Sequence, residues 1–296
     1  MWSWGLEFLV WLEHFRSPIT NALAMGASAL GSEPAYLAVL AVIYLCIDHR
    51  FGFRVMVMFL IGAHANTLIK TIYHTPRPYV LHPGLNPIWP ESGGGHSFPS
   101  GHAQNATVVW GLIATHLKSW WWRIAAILLI AAIAISRPFL QLHWPIDIIG
   151  GALIGCVLIG AYFGVAHLTR SWSPAAWHQA LIVVTASAAM LAVAGNESHC
   201  ARPAGALLGA GLGYILLQRK GYSAKAPLAI QVVKAVVALA VLAGLRIACE
   251  FMLGSSIMAQ AAAYAVVGFM VTCGLPLVFL ATIEHARAEP GEPAEA

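Results

Sequence analysis

Long apolar runs broken by short polar stretches organise the chain of 296 residues. The runs fall near residues 34–48, 53–73, 102–117, 122–136, 147–168, 179–195, 204–217, 228–248 and 256–283. Several reach the roughly 20 apolar residues that a helix needs to cross a bilayer. In lipid only helices and closed barrels satisfy their own backbone groups. A barrel would show short alternating strands, and these runs are too long and unbroken for that. The pattern predicts an all-α fold, a polytopic membrane helical bundle of about nine spans.

Residues 1–16 precede the bundle and place Trp4, Phe8, Trp11 and Phe15 at helical spacing. That spacing suits an interfacial amphipathic helix with indoles at headgroup level. A helix packed on the bundle fits the same spacing. Glu7, Glu13 and the lack of a basic n-region argue against a cleavable signal peptide. The rest divides into a helical core over 17–178, additional spans over 179–285, and a tail over 286–296. The tail is rich in Ala, Glu and Pro and is expected to be disordered. Within the additional spans Gly205, Gly209 and Gly213 recur every four residues, a flat face for close helix packing.

Composition agrees with the pattern. The chain is 59% hydrophobic and 9% charged, whereas a soluble domain carries about 25% charged residues. Arg50, Arg54, Lys118, Arg123, Arg170, Arg219, Lys220, Lys225 and Arg287 share one side if the spans alternate. The positive-inside rule makes that side cytoplasmic. The loop ending at His102 then faces outward, toward the periplasm or exterior, as does the N-terminus. The basic residues form no single polar face, so nucleic acid is not an expected partner. None of the five cysteines is in a CxxC pair, and Cys200 and Cys249 near span ends leave a disulfide open.

Three polar patches carry the candidate chemistry. The first runs from Lys70 to Arg77 and Pro78. Pro76 and Pro78 stiffen the backbone around a guanidinium, which suits a bidentate hydrogen-bond donor to a phosphate. Asn66, one turn before Lys70, could hydrogen-bond it. The second is Ser97-Phe98-Pro99-Ser100-Gly101-His102 at the start of a span. Alone it is an ordinary helix cap. It is also a place where free N–H groups and a helix dipole hold an anion. Gly101 lets the backbone approach a ligand, Ser100 adds a hydroxyl, and His102 at the rim could protonate a leaving oxygen. Gly93 to Gly95 would be a flexible lead-in. The third patch runs from Ser136 and Arg137 through His143 to Asp147. A carboxylate four residues from an imidazole can fix its tautomer and stabilise its cation. Span counting puts all three patches on one membrane face. Such a cluster of cations needs an anion, and a phosphoryl group is the natural one.

Lys70-x6-Arg77-Pro78, Pro99-Ser100-Gly101-His102 and Ser136-Arg137-x5-His143-x3-Asp147 resemble the three-part signature of the type-2 phosphatidic acid phosphatase superfamily. The resemblance covers residues 70–147 for the motifs and about 17–170 for the helical core. It implies a metal-independent phosphatase without cofactor. His143 would attack phosphorus and form a phosphohistidine. Asp147 would orient His143, and His102 would protonate the leaving group and then activate water. Lys70, Arg77, Ser100, Gly101 and Arg137 would cradle the phosphoryl oxygens. No pair among His96, His102, His143 and Asp147 has the spacing of a zinc helix motif, so no metal is expected. The expected substrates and partners are a phospholipid or polyprenyl phosphate or pyrophosphate, held among membrane lipids. The expected location is a bacterial inner membrane, with the site outward. A lipid-to-lipid phosphotransferase, or a sugar-phosphate phosphatase of the glucose-6-phosphatase kind, would use the same site.

Overall fold

The computed structural model describes residues 3–194, 198–252 and 256–288. Every regular element among them is helical. The chain forms two compact units: residues 1–37 with 55–173, and residues 38–54 with 174–296.

The first unit contains α1 (Ser3–Glu13), α2 (Pro18–Leu30), the start of α3 (Glu33–Val42), most of α4 (His49–Tyr73), the short α5 (Pro78–Leu81), α6 (Gly101–His116), α7 (Trp120–Phe139) and α8 (Pro145–Leu168). Ser17 starts α2 with a reciprocal cap to Thr20, and Pro18 supplies a preset first residue. Helix α6 packs against both α7 and α8. Small residues on α8 set the approach. A Cβ at Gly151 would lie 2.5 Å from the Ser100 carbonyl, and one at Gly155 would lie 2.6 Å from Thr107. The close approach brings the starts of α6 and α8 together, with Ser100 N–H donating to the Asp147 carbonyl at 3.0 Å.

Helix α1 has two faces. Leu9 is fully buried in a cluster with Leu85 and Trp144. Trp4, Trp11 and Phe15 are exposed. The helix is thus packed on the bundle by its leucines while its aromatic face points away from the protein.

The second unit holds α9 (Ala176–Val193), α10 (Ser198–Gln218), α11 (Leu228–Met252), α12 (Ile257–Phe269) and α13 (Leu275–Ala288), with the π turns Ile43–Ile47 and Met270–Gly274. A Cβ at Gly205 or Gly209 would fall on the carbonyl of Ala261 or Ala265, so α10 and α12 meet backbone to backbone. The π turns free carbonyls that side chains satisfy. Tyr44 donates to the Thr272 carbonyl at 2.8 Å, and Tyr222 donates to the Leu45 carbonyl at 2.8 Å. Among the described residues no two cysteines are joined by a disulfide.

The fold is a polytopic helical bundle. Among the described residues seven helices are long and apolar enough to cross a membrane, or eight if the bent pair of α2 with α3 and its π turn counts as one. The ninth expected run is α6, whose 16 residues reach about 24 Å, somewhat short of a bilayer core. Helix α10 begins at Ser198, six residues before the expected run. Helix α13 continues through Ala288, so the first three residues of the expected tail are helical. The remainder of that tail, 289–296, lies outside the described residues.

Candidate active site

Four helix ends meet at one end of the first unit: the last turn of α4 with Lys70, the first turn of α6 with His102, the last turn of α7 with Arg137, and the first turn of α8 with Asp147. The loops between them carry Arg77, Ser97 and His143.

His143 is the most constrained of these. It is buried, and Nδ1 lies 3.2 Å from Asp147 Oδ2 while Nε2 lies 3.3 Å from Arg77 Nη1. A guanidinium only donates, so Nε2 must accept and Nδ1 carries the proton. The Nε2 lone pair therefore points at the cation. Burial, with Arg77, Lys70 and Arg137 nearby, holds the imidazole well below its usual pKa of 6.5. The ring is a neutral base ready to act as a nucleophile.

Asp147 Oδ2 also accepts from the Ser97 hydroxyl and from Trp144 N–H, the latter at 2.8 Å. Trp144 in turn donates its indole N–H to the Pro76 carbonyl at 3.1 Å. The histidine loop is thus tied to the turn before Arg77.

All five N–H groups of Arg77 have acceptors. Nε reaches the Gly95 carbonyl at 2.9 Å, and Nη2 reaches those of Gly94 at 2.7 Å and His96 at 3.5 Å. Nη1 reaches the Leu142 carbonyl at 2.6 Å besides His143. Lys70 Nζ donates to the carbonyls of His96 at 2.5 Å and Ser97 at 3.1 Å. The glycine run is therefore not a flexible lead-in. Arg77 pins the carbonyls of Gly94 and Gly95, Lys70 pins those of the two residues that follow, and Gly95 supplies the positive φ of 68° that the path requires.

Ser100 is buried and caps α6 by accepting from Ala103 N–H at 3.4 Å. A Cβ at Gly101 would lie 3.1 Å from Asn66 Oδ1. Asn66 donates to Gln104 Oε1 at 2.9 Å and not to Lys70 as expected. The reason is helix facing, since α4 meets α6 on the side where Asn66 and Gln104 lie. His102 is half-buried and hydrogen-bonded to the Ser28 backbone. Arg137 is buried and donates to the Ser28 hydroxyl, to Ser92 Oγ at 3.2 Å and to the Ser92 carbonyl at 3.0 Å. It makes no direct hydrogen bond to the other candidate residues, but its charge acts on both His102 and His143. The structure thus gathers all eight expected residues at one end of the bundle. It adds Ser28, Ser92 and Ser97. Only Ser97 had a signal in the sequence, as a hydroxyl beside the Pro99–His102 motif. A cavity of about 470 Å³ opens beside Arg77, with His74, Tyr79, Glu91 and His96 in its wall. Among the described residues no group of three or more His, Cys, Asp or Glu could hold a metal ion.

Residues 51–172 match the PAP2 superfamily, and residues 201–286 match the transmembrane extension of PAP2 superfamily phosphatases. The chain belongs to the PAP2 superfamily and carries that extension. An undecaprenyl-diphosphatase from Sulfolobus acidocaldarius is 29% identical over 158 residues, 52% of this chain and 74% of that protein. Lipid phosphate phosphatase delta from Arabidopsis thaliana is 22% identical over 176 residues, 54% of this chain and 42% of that protein. A PAP2-type phosphatidylglycerolphosphate phosphatase from Bacillus subtilis superposes with a TM-score of 0.48 at 22% identity, over 58% of this chain and 88% of that one. Aquifex aeolicus LpxE gives a TM-score of 0.48 at 22% identity, over 54% and 94%.

Proposed function

We propose that this protein hydrolyses a lipid phosphate or polyprenyl diphosphate at the outward face of its membrane, through a phosphohistidine. The geometry that carries the reading is that of His143, with Nδ1 on Asp147 and the Nε2 lone pair turned toward Arg77.

In the first step Nε2 attacks phosphorus while the bond to the leaving oxygen breaks. His102 gives that oxygen a proton. Asp147 stabilises the positive charge that develops on His143. Arg77, Lys70 and Arg137 neutralise the phosphoryl oxygens, with Ser100 and the first N–H groups of α6 as further donors. In the second step His102 takes a proton from water, the water oxygen attacks phosphorus, and the N–P bond breaks to give phosphate and neutral His143. The site sits at helix ends, so a substrate can keep its tails in the bilayer while its headgroup reaches His143. The match to an undecaprenyl-diphosphatase supports a polyprenyl diphosphate as substrate.

The test is phosphate release by the purified protein in nanodiscs, over polyprenyl diphosphate, phosphatidic acid and glucose 6-phosphate. His143→Ala should abolish release, and an acid-labile phosphoenzyme should form in the wild type only. Substantial turnover by His143→Ala would sink the mechanism. Adding lipid alcohols as acceptors separates hydrolysis from phosphotransfer, and turnover should persist in a chelator.

A further inference from the structure

Helix α1 grips the nucleophile loop at several points. Leu9 packs in one cluster with Trp144, the residue after His143. A Cβ at Gly5 would lie 3.2 Å from the Trp144 ring, so the helix backbone itself rests on the indole. Glu13 accepts from the Gln141 side chain at 2.6 Å. Arg16, just past the helix, donates to the Phe139 carbonyl at 3.0 Å and to the Asn86 carbonyl at 2.8 Å. The segment 139–144 that carries His143 is thus held from outside by α1 and the turn after it.

The opposite face of α1 is rich in aromatic rings, with Glu7 and His14 exposed among them, and faces away from the protein. Trp4, Trp11 and Phe15 are 49%, 52% and 52% exposed. The exposed apolar surface runs on along the chain into α2, through Ile19 and Leu23, and α2 belongs to the bent pair that qualifies as a membrane span. Lipid covers the outer face of such a span, and indoles settle at the headgroup level. The occupant of the α1 face is therefore the bilayer interface.

We propose that α1 is a strut between the bilayer and the catalytic loop. Its aromatic face is seated in the headgroup layer, and its leucine face fixes Trp144 and with it the position of His143. Bilayer contact then sets turnover itself, not only access of the substrate. The inference rests on His143 being the nucleophile.

Two measurements on the full-length protein in nanodiscs test it. The first is fluorescence quenching by lipids brominated near the top of the acyl chain. The wild type should be quenched more than the double variant Trp4→Phe, Trp11→Phe. Equal quenching, as expected if a second copy or another protein covers this face, overturns the proposal. The second is turnover of soluble p-nitrophenyl phosphate together with hydrogen exchange of the 139–145 amides. Trp4→Gln with Trp11→Gln should lower kcat on this soluble substrate about tenfold, because small misplacements of a nucleophile are costly. It should also speed exchange in that loop. Leu9→Ala, which loosens the inner face, should do the same. Unchanged kcat and exchange, or a loss confined to lipid substrates, overturns the proposal. If His143→Ala keeps its activity, the phosphohistidine reading has failed instead; quenching and exchange still report on α1.

Discussion

Ser97 and Asp147 meet through a single oxygen. The Ser97 hydroxyl donates to Asp147 Oδ2, the oxygen that His143 Nδ1 and Trp144 N–H approach at 3.2 and 2.8 Å. Oδ1 of the same carboxylate is buried without a hydrogen-bond partner among the described residues. Three donors on one oxygen fix the carboxylate plane. In the proposed mechanism Ser97 is therefore a positioning residue for the His143–Asp147 pair.

Ser97→Ala should lower kcat with little change in KM. A hydrogen bond to a buried charged group contributes about 1.5–3 kcal/mol, and about 1.4 kcal/mol corresponds to tenfold in rate. The expected loss is therefore about ten- to hundredfold, and Ser97→Thr should recover part of it. Rapid-quench measurement of the phosphoenzyme is the decisive readout. Slower formation with an unchanged thermal midpoint supports positioning, and an unchanged rate of formation refutes it.

Gly31 lies at the bend between α2 and α3. A Cβ there would lie 2.8 Å from His102 Cδ2 and 2.5 Å from Ile133. Gly31→Ala should push the His102 ring aside and lower kcat by about a hundredfold, the scale of a misplaced catalytic group. Gly26→Ala within α2 is the control, since a Cβ there meets nothing within 4 Å. Equal activity of the two variants would show that the ring tolerates the methyl group.

The eight candidate residues were legible because each lies near a helix end, and span alternation alone brings those ends to one face. The partners that hold them were not. Ser28 and Gly31 come from the end of α2 and the bend after it, more than seventy residues away from His102, and nothing local marks them as neighbours. Asn66 shows the same limit, since its spacing from Lys70 was visible but the facing of α4 toward Gln104 was not. The glycine run was misread because flexibility is a property of the free chain. Arg77, which pins its carbonyls, and Lys70, which pins the two residues after it, act only after folding. The π turns at Ile43–Ile47 and Met270–Gly274 leave no pattern in hydropathy. By contrast Gly205 and Gly209 were readable, because close helix approach needs small residues at a fixed repeat.

The lowered pKa of His143 sets a pH signature. In the proposed mechanism its neutral form is the nucleophile, and burial with the nearby charges of Arg77 and Lys70 depresses its proton affinity. As pH falls through about 6.5, an ordinary imidazole is half protonated, whereas His143 in the free enzyme stays neutral. The acid limb of kcat/KM should therefore lie below 6.5. Stability shows the corresponding sign. The unfolded chain binds the proton first, so this group's contribution falls as pH drops below about 6.5 and is constant above it. A pH–rate profile checks the first statement, and thermal midpoints across the same range check the second. An acid limb above 6.5 that persists across substrates would contradict the assignment of His143.

The extension offers a stability test free of active-site chemistry. Helices α10 and α12 meet where Gly209 faces the Ala265 carbonyl, with no room for a Cβ. Gly209→Ala must separate the two backbones or bend one of them. Overpacking of this kind costs about 1–3 kcal/mol. Gly244 on α11 has nothing within 4 Å of a Cβ, and replacing a helical glycine there by alanine should stabilise by about 0.5–1 kcal/mol. The two substitutions add the same methyl group, so helix propensity favours both equally. Opposite shifts of the unfolding midpoint in one detergent would isolate the packing contribution. A stabilised Gly209→Ala would mean that α10 and α12 are not in backbone contact.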